Sequence, residues 1–133
     1  MRTTRLNPGG VAKPVGTYSH SVRVETADAT WIHVSGQIAS NLDGNLVGSG
    51  DLGAQTRQVF ENLKAILEAN GATFADVVKI GTYVTTLDDF AVVREVRAEY
   101  LTTEPPASTA VQVVALVVPD AMIEVDLVAV VPA

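Results

Sequence analysis

Few residues in this chain have chemistry to offer. It contains no cysteine and two histidines, His20 and His33. Thiolate nucleophiles, disulfides and cysteine-based metal centres are therefore excluded, and two histidines fall short of a metal site. Ser108 has no histidine–acid pair placed with it that would make it a triad nucleophile. Acid–base chemistry on carboxylates is what remains. Glu124 stands out because it lies, with Asp126, in an otherwise apolar run, Met122 to Val131. A carboxylate held in partly apolar surroundings without a cation beside it has its pKa raised, which makes it a proton donor or a group that orients water. The competing reading is an acid paired across an interface between subunits.

The elements that must position these residues follow from periodicity. Ser21 to Thr26 alternates, Val22 and Val24 opposing Arg23 and Glu25, and with Trp31 to Ser35 it reads as a two-strand hairpin. Residues 36–50 are rich in Gly, Asn and Asp and read as a loop. Asp51 caps a helix whose apolar positions Leu52, Val59, Phe60, Leu63, Ile66 and Leu67 fall at helical spacing, and Asn70 and Gly71 end it. Val77 to Thr85 is a third strand. A second helix starts around Asp88, with Leu87 and Val92 as a hydrophobic staple, and Pro105 and Pro106 stop it. Two strands, Ser108 to Leu116 and Met122 to Val131, complete the order ββαβαββ. Residues 1–15, broken by Pro8, Gly9, Gly10 and Pro14, read as an irregular leader.

This order specifies one α+β domain over residues 1–133, a mixed sheet with two helices packed on one face. In the last strand Ile123, Val125, Leu127 and Ala129 face the helices, leaving Glu124, Asp126, Val128 and Val130 on the other side, joined by Val114 and Leu116. Such a face left wet costs about 25 cal/mol per Å², so oligomerisation is expected.

Composition narrows the partners. Nine basic against fifteen acidic residues give a net charge of −6 with no basic stripe, which disfavours nucleic acid. Apolar runs such as Val113 to Pro119 fall far short of the roughly 20 residues of a membrane helix. Arg2 and Arg5 are followed by Asn7, Pro8, Gly9 and Gly10 instead of an apolar stretch, so the start does not read as a signal peptide. A soluble cytoplasmic protein is expected, with no membrane partner.

Several motifs occur together: Gly16-Thr17-Tyr18-Ser19-His20, Val34-Ser35-Gly36-Gln37-Ile38, Gln55-Thr56-Arg57-Gln58-Val59-Phe60-Glu61-Asn62-Leu63, Leu87-Asp88-Asp89-Phe90, Pro105-Pro106-Ala107 and Ile123-Glu124-Val125. In order and spacing the chain resembles the Rid (YjgF, reactive intermediate deaminase) family over residues 8 to 131. The resemblance implies a chorismate-mutase-like fold, a homotrimer with a central β-barrel, and pockets for a small-molecule ligand between subunits. It also implies hydrolysis of enamines and imines without a cofactor or metal. Carried onto this chain, it makes Tyr18, Ser35 and Glu124 the catalytic candidates, and Ser108, His20, Gln37, Thr109 and Asp88 the substrate-binding ones. Two positions depart from the family pattern: Ser108 stands where active deaminases carry a carboxylate-binding arginine, and Asp88 where asparagine is common. A serine replaces neither the fork nor the charge of a guanidinium, a loss of about 2–5 kcal/mol when the anion is buried. On this reading imino acids are poor substrates and neutral or keto compounds better ones. A trimer that binds a small metabolite, or serves a regulatory or chaperone-like role without turnover, is the alternative to an enzyme.

Overall fold

The structure is a computed structural model and describes residues 1–133. The elements run β1 (Arg2–Leu6), β2 (Ser21–Glu25), β3 (Ala29–Gln37), α1 (Leu52–Ala69), β4 (Val77–Val84), α2 (Phe90–Tyr100), β5 (Ala107–Gln112) and β6 (Ile123–Pro132), with a 3-10 turn at Phe74–Asp76 before β4. They build one six-stranded sheet in the order β1-β2-β3-β6-β4-β5. Neighbours are antiparallel except β4 and β5, which are parallel because α2 carries the chain back between them.

Side-chain alternation on β6 divides the molecule. Ile123, Val125, Leu127 and Ala129 are buried beneath the apolar stripe of α1, with Val59, Phe60, Leu63, Ile66 and Leu67. Asp51 starts that helix, its Oδ1 accepting from Ala54 N at 3.0 Å, and Gly71 turns the chain away from it at a φ of +73°. Both helices lie on this one side. No helix is long and apolar enough to cross a membrane.

The opposite face of the sheet carries no helix. Register places Val22, His33 and Val128 side by side across it, then Val24, Trp31 and Val130, and Trp31 remains 43% exposed. The uncovered apolar face expected from the sequence is present, but its membership differs. β5 ends at Gln112, the partner of Val84, because β4 offers nothing to pair with beyond that residue. Val114 and Val117 therefore stand fully exposed on a loop, and Val114 and Leu116 are not part of the sheet.

Two further expectations are corrected. The first residues are not wholly irregular: Arg2–Leu6 pairs with β2, from Arg2↔Glu25 to Leu6↔Ser21. Without it β2 would be an open edge, and the irregular segment begins only at Asn7. The second helix starts at Phe90 after the cap position Asp89, so Asp88 lies outside it and Leu87 is exposed instead of stapled.

A buried polar residue positions β6. Gln55 of α1 is fully buried; its Nε2 donates to Gly48 O at 3.2 Å and Asp120 O at 3.0 Å, and its Oε1 accepts from Met122 N at 2.8 Å. It thus ties the helix to the chain two residues before Glu124. Gln55→Leu strands these backbone groups and is expected to cost about 3 kcal/mol, measurable by denaturant unfolding. A loss below about 1 kcal/mol would show that the tie carries little.

Candidate functional site

β6 lies between β3 and β4 and bears two acids on its helix-free side, Glu124 and Asp126. Strands flank both, and each carboxylate lies across a glycine. A Cβ added at Gly36 of β3 would come within 2.7 Å of Glu124 Oε2, and one at Gly81 of β4 would collide with Asp126 Oδ1. Neither glycine has a positive φ, so close approach, not backbone freedom, accounts for them. Gly36 reaches its place through a β-bulge: β3 pairs Val34 with Leu127 and Gln37 with Val125, so Ser35 and Gly36 together oppose Asp126 alone. Ser35, Gly36 and Gln37 thus form a bulge inside a continuing strand, where the sequence pattern reads as a loop from residue 36.

Glu124 is half-buried and forms no ion pair. Burial, followed by the charge of Asp126, raises its pKa above the ordinary carboxylate value. Asp126 in turn accepts a hydrogen bond from the Tyr83 hydroxyl at 3.2 Å and, chiefly through its charge, raises the pKa of that phenol.

A cleft of about 240 Å³ opens beside Glu124, walled by Val15, Tyr18, Ser35, Gly36, Val117 and Val118. A smaller lobe of about 90 Å³ continues from it to His20, Gln37 and Asn62. One wall comes from the irregular segment after β1, which is fastened by polar contacts. His20 N donates to Asn7 Oδ1 at 2.9 Å. The His20 Nε2 contact with Ala12 O fixes the tautomer, because a carbonyl only accepts. Nδ1 then accepts from Gln37 Nε2 at 3.2 Å, and the same amide nitrogen donates to Ser35 O at 3.2 Å. The Ser35 hydroxyl donates to Ser19 O. His20 is therefore buried with both ring nitrogens engaged, a fastener of the wall instead of a free base. Ser35 has only lone pairs left for a ligand. Tyr18 Oη accepts from Val15 N at 3.4 Å and keeps its own proton to donate.

Tyr18, Ser35, Glu124, His20 and Gln37 thus converge around one cleft and its inner lobe. Ser108, Thr109 and Asp88 do not join them within a single chain. Ser108 points to the helix side of β5, where Arg97 Nη1 donates to its Oγ at 2.9 Å. Thr109 points to the opposite face and accepts from Lys79 Nζ at 2.9 Å. Asp88 borders a separate groove with Phe90, Arg94 and Ala110. Sequence reasoning missed Val117, exposed, and Val118, partly buried, both beyond the end of β5, and it missed Arg97, whose spacing from Ser108 follows no regular period.

Gly36→Ala tests how Glu124 is held. The new methyl meets the movable end of Glu124, so the fold is expected to survive with stability within about 1 kcal/mol of wild type, while the carboxylate swings toward water. Its titration midpoint, followed by carboxyl ¹³C NMR, then falls toward that of a free glutamate. An unchanged midpoint would refute the close packing of Glu124 on Gly36.

Comparison with known proteins agrees with this geometry. A family model described as Endoribonuclease L-PSP matches residues 10–131. A RutC family protein of Pyrococcus abyssi is 41% identical over 117 residues, 88% of each chain. A 2-iminobutanoate/2-iminopropanoate deaminase of Dermatophagoides farinae is 34% identical over 104 residues, 78% of each chain. The crystal structure of the YjgF gene product of E. coli superposes with a TM-score of 0.80 at 30% identity, covering 96% of this chain and 98% of that one. A match this long in sequence, together with the shared fold, places the chain in the Endoribonuclease L-PSP family, the YjgF/Rid family its sequence resembles.

Proposed function

We propose that the protein is a cofactor-free hydrolase of small enamine or imine compounds, or related reactive metabolites, working in a cleft that a second copy of the chain completes. The observation that carries this reading is Glu124: half-buried, without a cation, its proton affinity raised, and facing a cleft with the Tyr18 hydroxyl. The relative named as a 2-iminobutanoate/2-iminopropanoate deaminase supports it.

The chemistry follows from one carboxyl group. Water adds to the C=N carbon while ionised Glu124 accepts a proton from it. Neutral Glu124 returns that proton to nitrogen, giving a carbinolamine; the same carboxylate then takes the hydroxyl proton and passes it to the amino nitrogen, the C–N bond breaks, ammonia leaves and the carbonyl forms. Desolvation favours the neutral form that the second step needs, and the Asp126 charge acts in the same direction. Tyr18 donates to the substrate and Ser35 accepts from it.

A homotrimer with a central β-barrel would cover Trp31, Val24, Val128 and Val130 on the helix-free face. It would also bring Ser108, Thr109 and Asp88 of a neighbour to the mouth of the Glu124 cleft. Because Ser108 bears no guanidinium, the substrate range differs from that of relatives with arginine there. The acidic balance of −6 speaks against the ribonuclease activity in the family's description. A cleft that binds without turnover draws on one observation, that the Ser35 hydroxyl is already engaged with Ser19.

Glu124→Gln decides between them. Ammonia release from a freshly generated imine is expected to fall about 10²- to 10⁴-fold. Stability should move the other way. With its folded-state pKa raised, Glu124 imposes no penalty below its unfolded pKa and an increasing one as pH rises through the folded value, so the glutamine variant should be the more stable protein at pH 7. Undiminished turnover would remove Glu124 from the mechanism, and a turnover loss accompanied by unfolding would make its role structural.

A further inference from the structure

The inner lobe of the cleft holds a hydrogen-bond acceptor that nothing in the chain uses. Its direction is fixed step by step. Ala12 O can only accept, so His20 carries its proton on Nε2, and Nδ1 is left with a lone pair. That lone pair and Ser35 O both call for a donor, so the amide nitrogen of Gln37 faces the two of them, each at 3.2 Å. Turning the amide over would set its oxygen against two acceptors. Gln37 Oε1 therefore points away from them, and it takes no hydrogen bond although the residue is only 6% exposed. Polar atoms held this far from bulk water are ordinarily paired. The one side-chain atom both sealed in protein and unpartnered is Asn70 Oδ1, so Gln37 Oε1 still touches open space, and the space that Gln37 lines is the lobe.

Other polar groups of the lobe divide into engaged and free. Asn62 is engaged: its Nδ2 donates to Ile38 O at 3.2 Å and Ser40 O at 2.9 Å, and its Oδ1 accepts from Gln58 Nε2 at 2.8 Å. It ties α1 to the chain after β3. The Ser40 hydroxyl and the Lys13 ammonium also border the lobe, and neither makes a hydrogen bond or an ion pair. A group that fits must therefore donate to Gln37 Oε1 and accept from Ser40 or Lys13. An amine is charged at neutral pH and is repelled by Lys13. A carboxylate has no proton for Gln37, and a hydrocarbon leaves every one of these groups unpaired. A hydroxyl or a primary carboxamide satisfies both sides. The volume agrees, since about 90 Å³ is the room of roughly three water molecules.

We infer that the inner lobe is a subsite for a neutral hydroxyl or carboxamide substituent, with Gln37 Oε1 accepting from it and Ser40 and Lys13 donating to it. Val15, Tyr18, Gly36, Ile38 and Val118 border both the lobe and the larger cleft, so one short ligand can occupy the two together. The ligand class narrows to a small enamine, imine or carbonyl compound whose carbon chain ends in such a group, its reacting carbon beside Glu124. His20 acts at one remove, because its tautomer decides that the lobe presents an acceptor and not a donor. All of these residues belong to one chain, so binding needs no second copy. Its use in turnover rests on the proposed hydrolase reading.

The test is NMR titration with two ketones of the same shape, 4-hydroxybutan-2-one and pentan-2-one, which differ by a hydroxyl in place of a methyl. Wild type is expected to bind the hydroxy ketone about five- to ten-fold more tightly, with a shift of the Gln37 side-chain amide signals that pentan-2-one does not produce. Gln37→Met should abolish the preference, leaving the two ketones equal. If that variant folds poorly, Ser40→Ala, which removes a hydroxyl with no partner in the fold, supplies the readout with a loss of about three-fold in the preference. Equal binding of the two ketones by wild type, no binding of either, or a preference untouched by both substitutions would overturn the subsite. A Gln37-dependent preference in a protein that releases no ammonia from imines would retain the subsite and remove the hydrolase reading, whereas imine turnover without any preference would do the reverse.

Discussion

A carboxylate on the middle strand of a sheet has nowhere to go but across its neighbours, and here those neighbours make room. Glu124 rests on Gly36 and Asp126 on Gly81, so that two acids lie across a face that also carries valines, Trp31, His33 and Tyr83. Much of the site follows from this packing. The bulge at Ser35 and Gly36 sets one glycine beside Glu124, and the partial desolvation that results raises its proton affinity. The Asp126 charge adds to the effect, so the two acids act as a unit although only one borders the cleft.

The second requirement is that the cleft wall stays put. The segment between β1 and β2 has no ladder of its own and is fastened by side chains instead: Asn7 to the His20 backbone, the His20 ring to Ala12 and Gln37, and Ser35 to Ser19. Buried polar groups of this kind stabilise only when their partners are all in place, and they fix one arrangement when they are. Gln55 does the same at the other end, where the chain enters β6. The polar residues that first look catalytic are thus largely occupied in holding the geometry. Glu124 and Tyr18 are left with protons to give.

Much of this was legible in the sequence wherever the signal is local. The alternation from Ile123 to Val130 assigns each residue of β6 to its face, and Asp51, Asn70 and Gly71 mark the ends of α1 because capping is a matter of adjacent residues. What escaped depends on partners distant in sequence. β1 is a strand because β2 has a free edge, not because Arg2-Thr3-Thr4-Arg5-Leu6 has a strong pattern. β5 is short because β4 is, whatever the valines after Gln112 would prefer. The bulge depends on register against β6, and the Arg97–Ser108 contact on how α2 lies along the strand that follows it. Family resemblance brought Ser108 to notice as a missing cation, but only coordinates show a guanidinium already beside it.

The two groups of candidate residues lie apart in one chain and can serve one ligand only if copies of the chain join them. Trp31, Val24, Val128 and Val130 supply an apolar face for that union, and closure over the face would deepen the desolvation of Glu124. Sedimentation equilibrium across the micromolar range tests this directly. The account predicts a stable species of three chains, and a protein that remains a single chain throughout would contradict it.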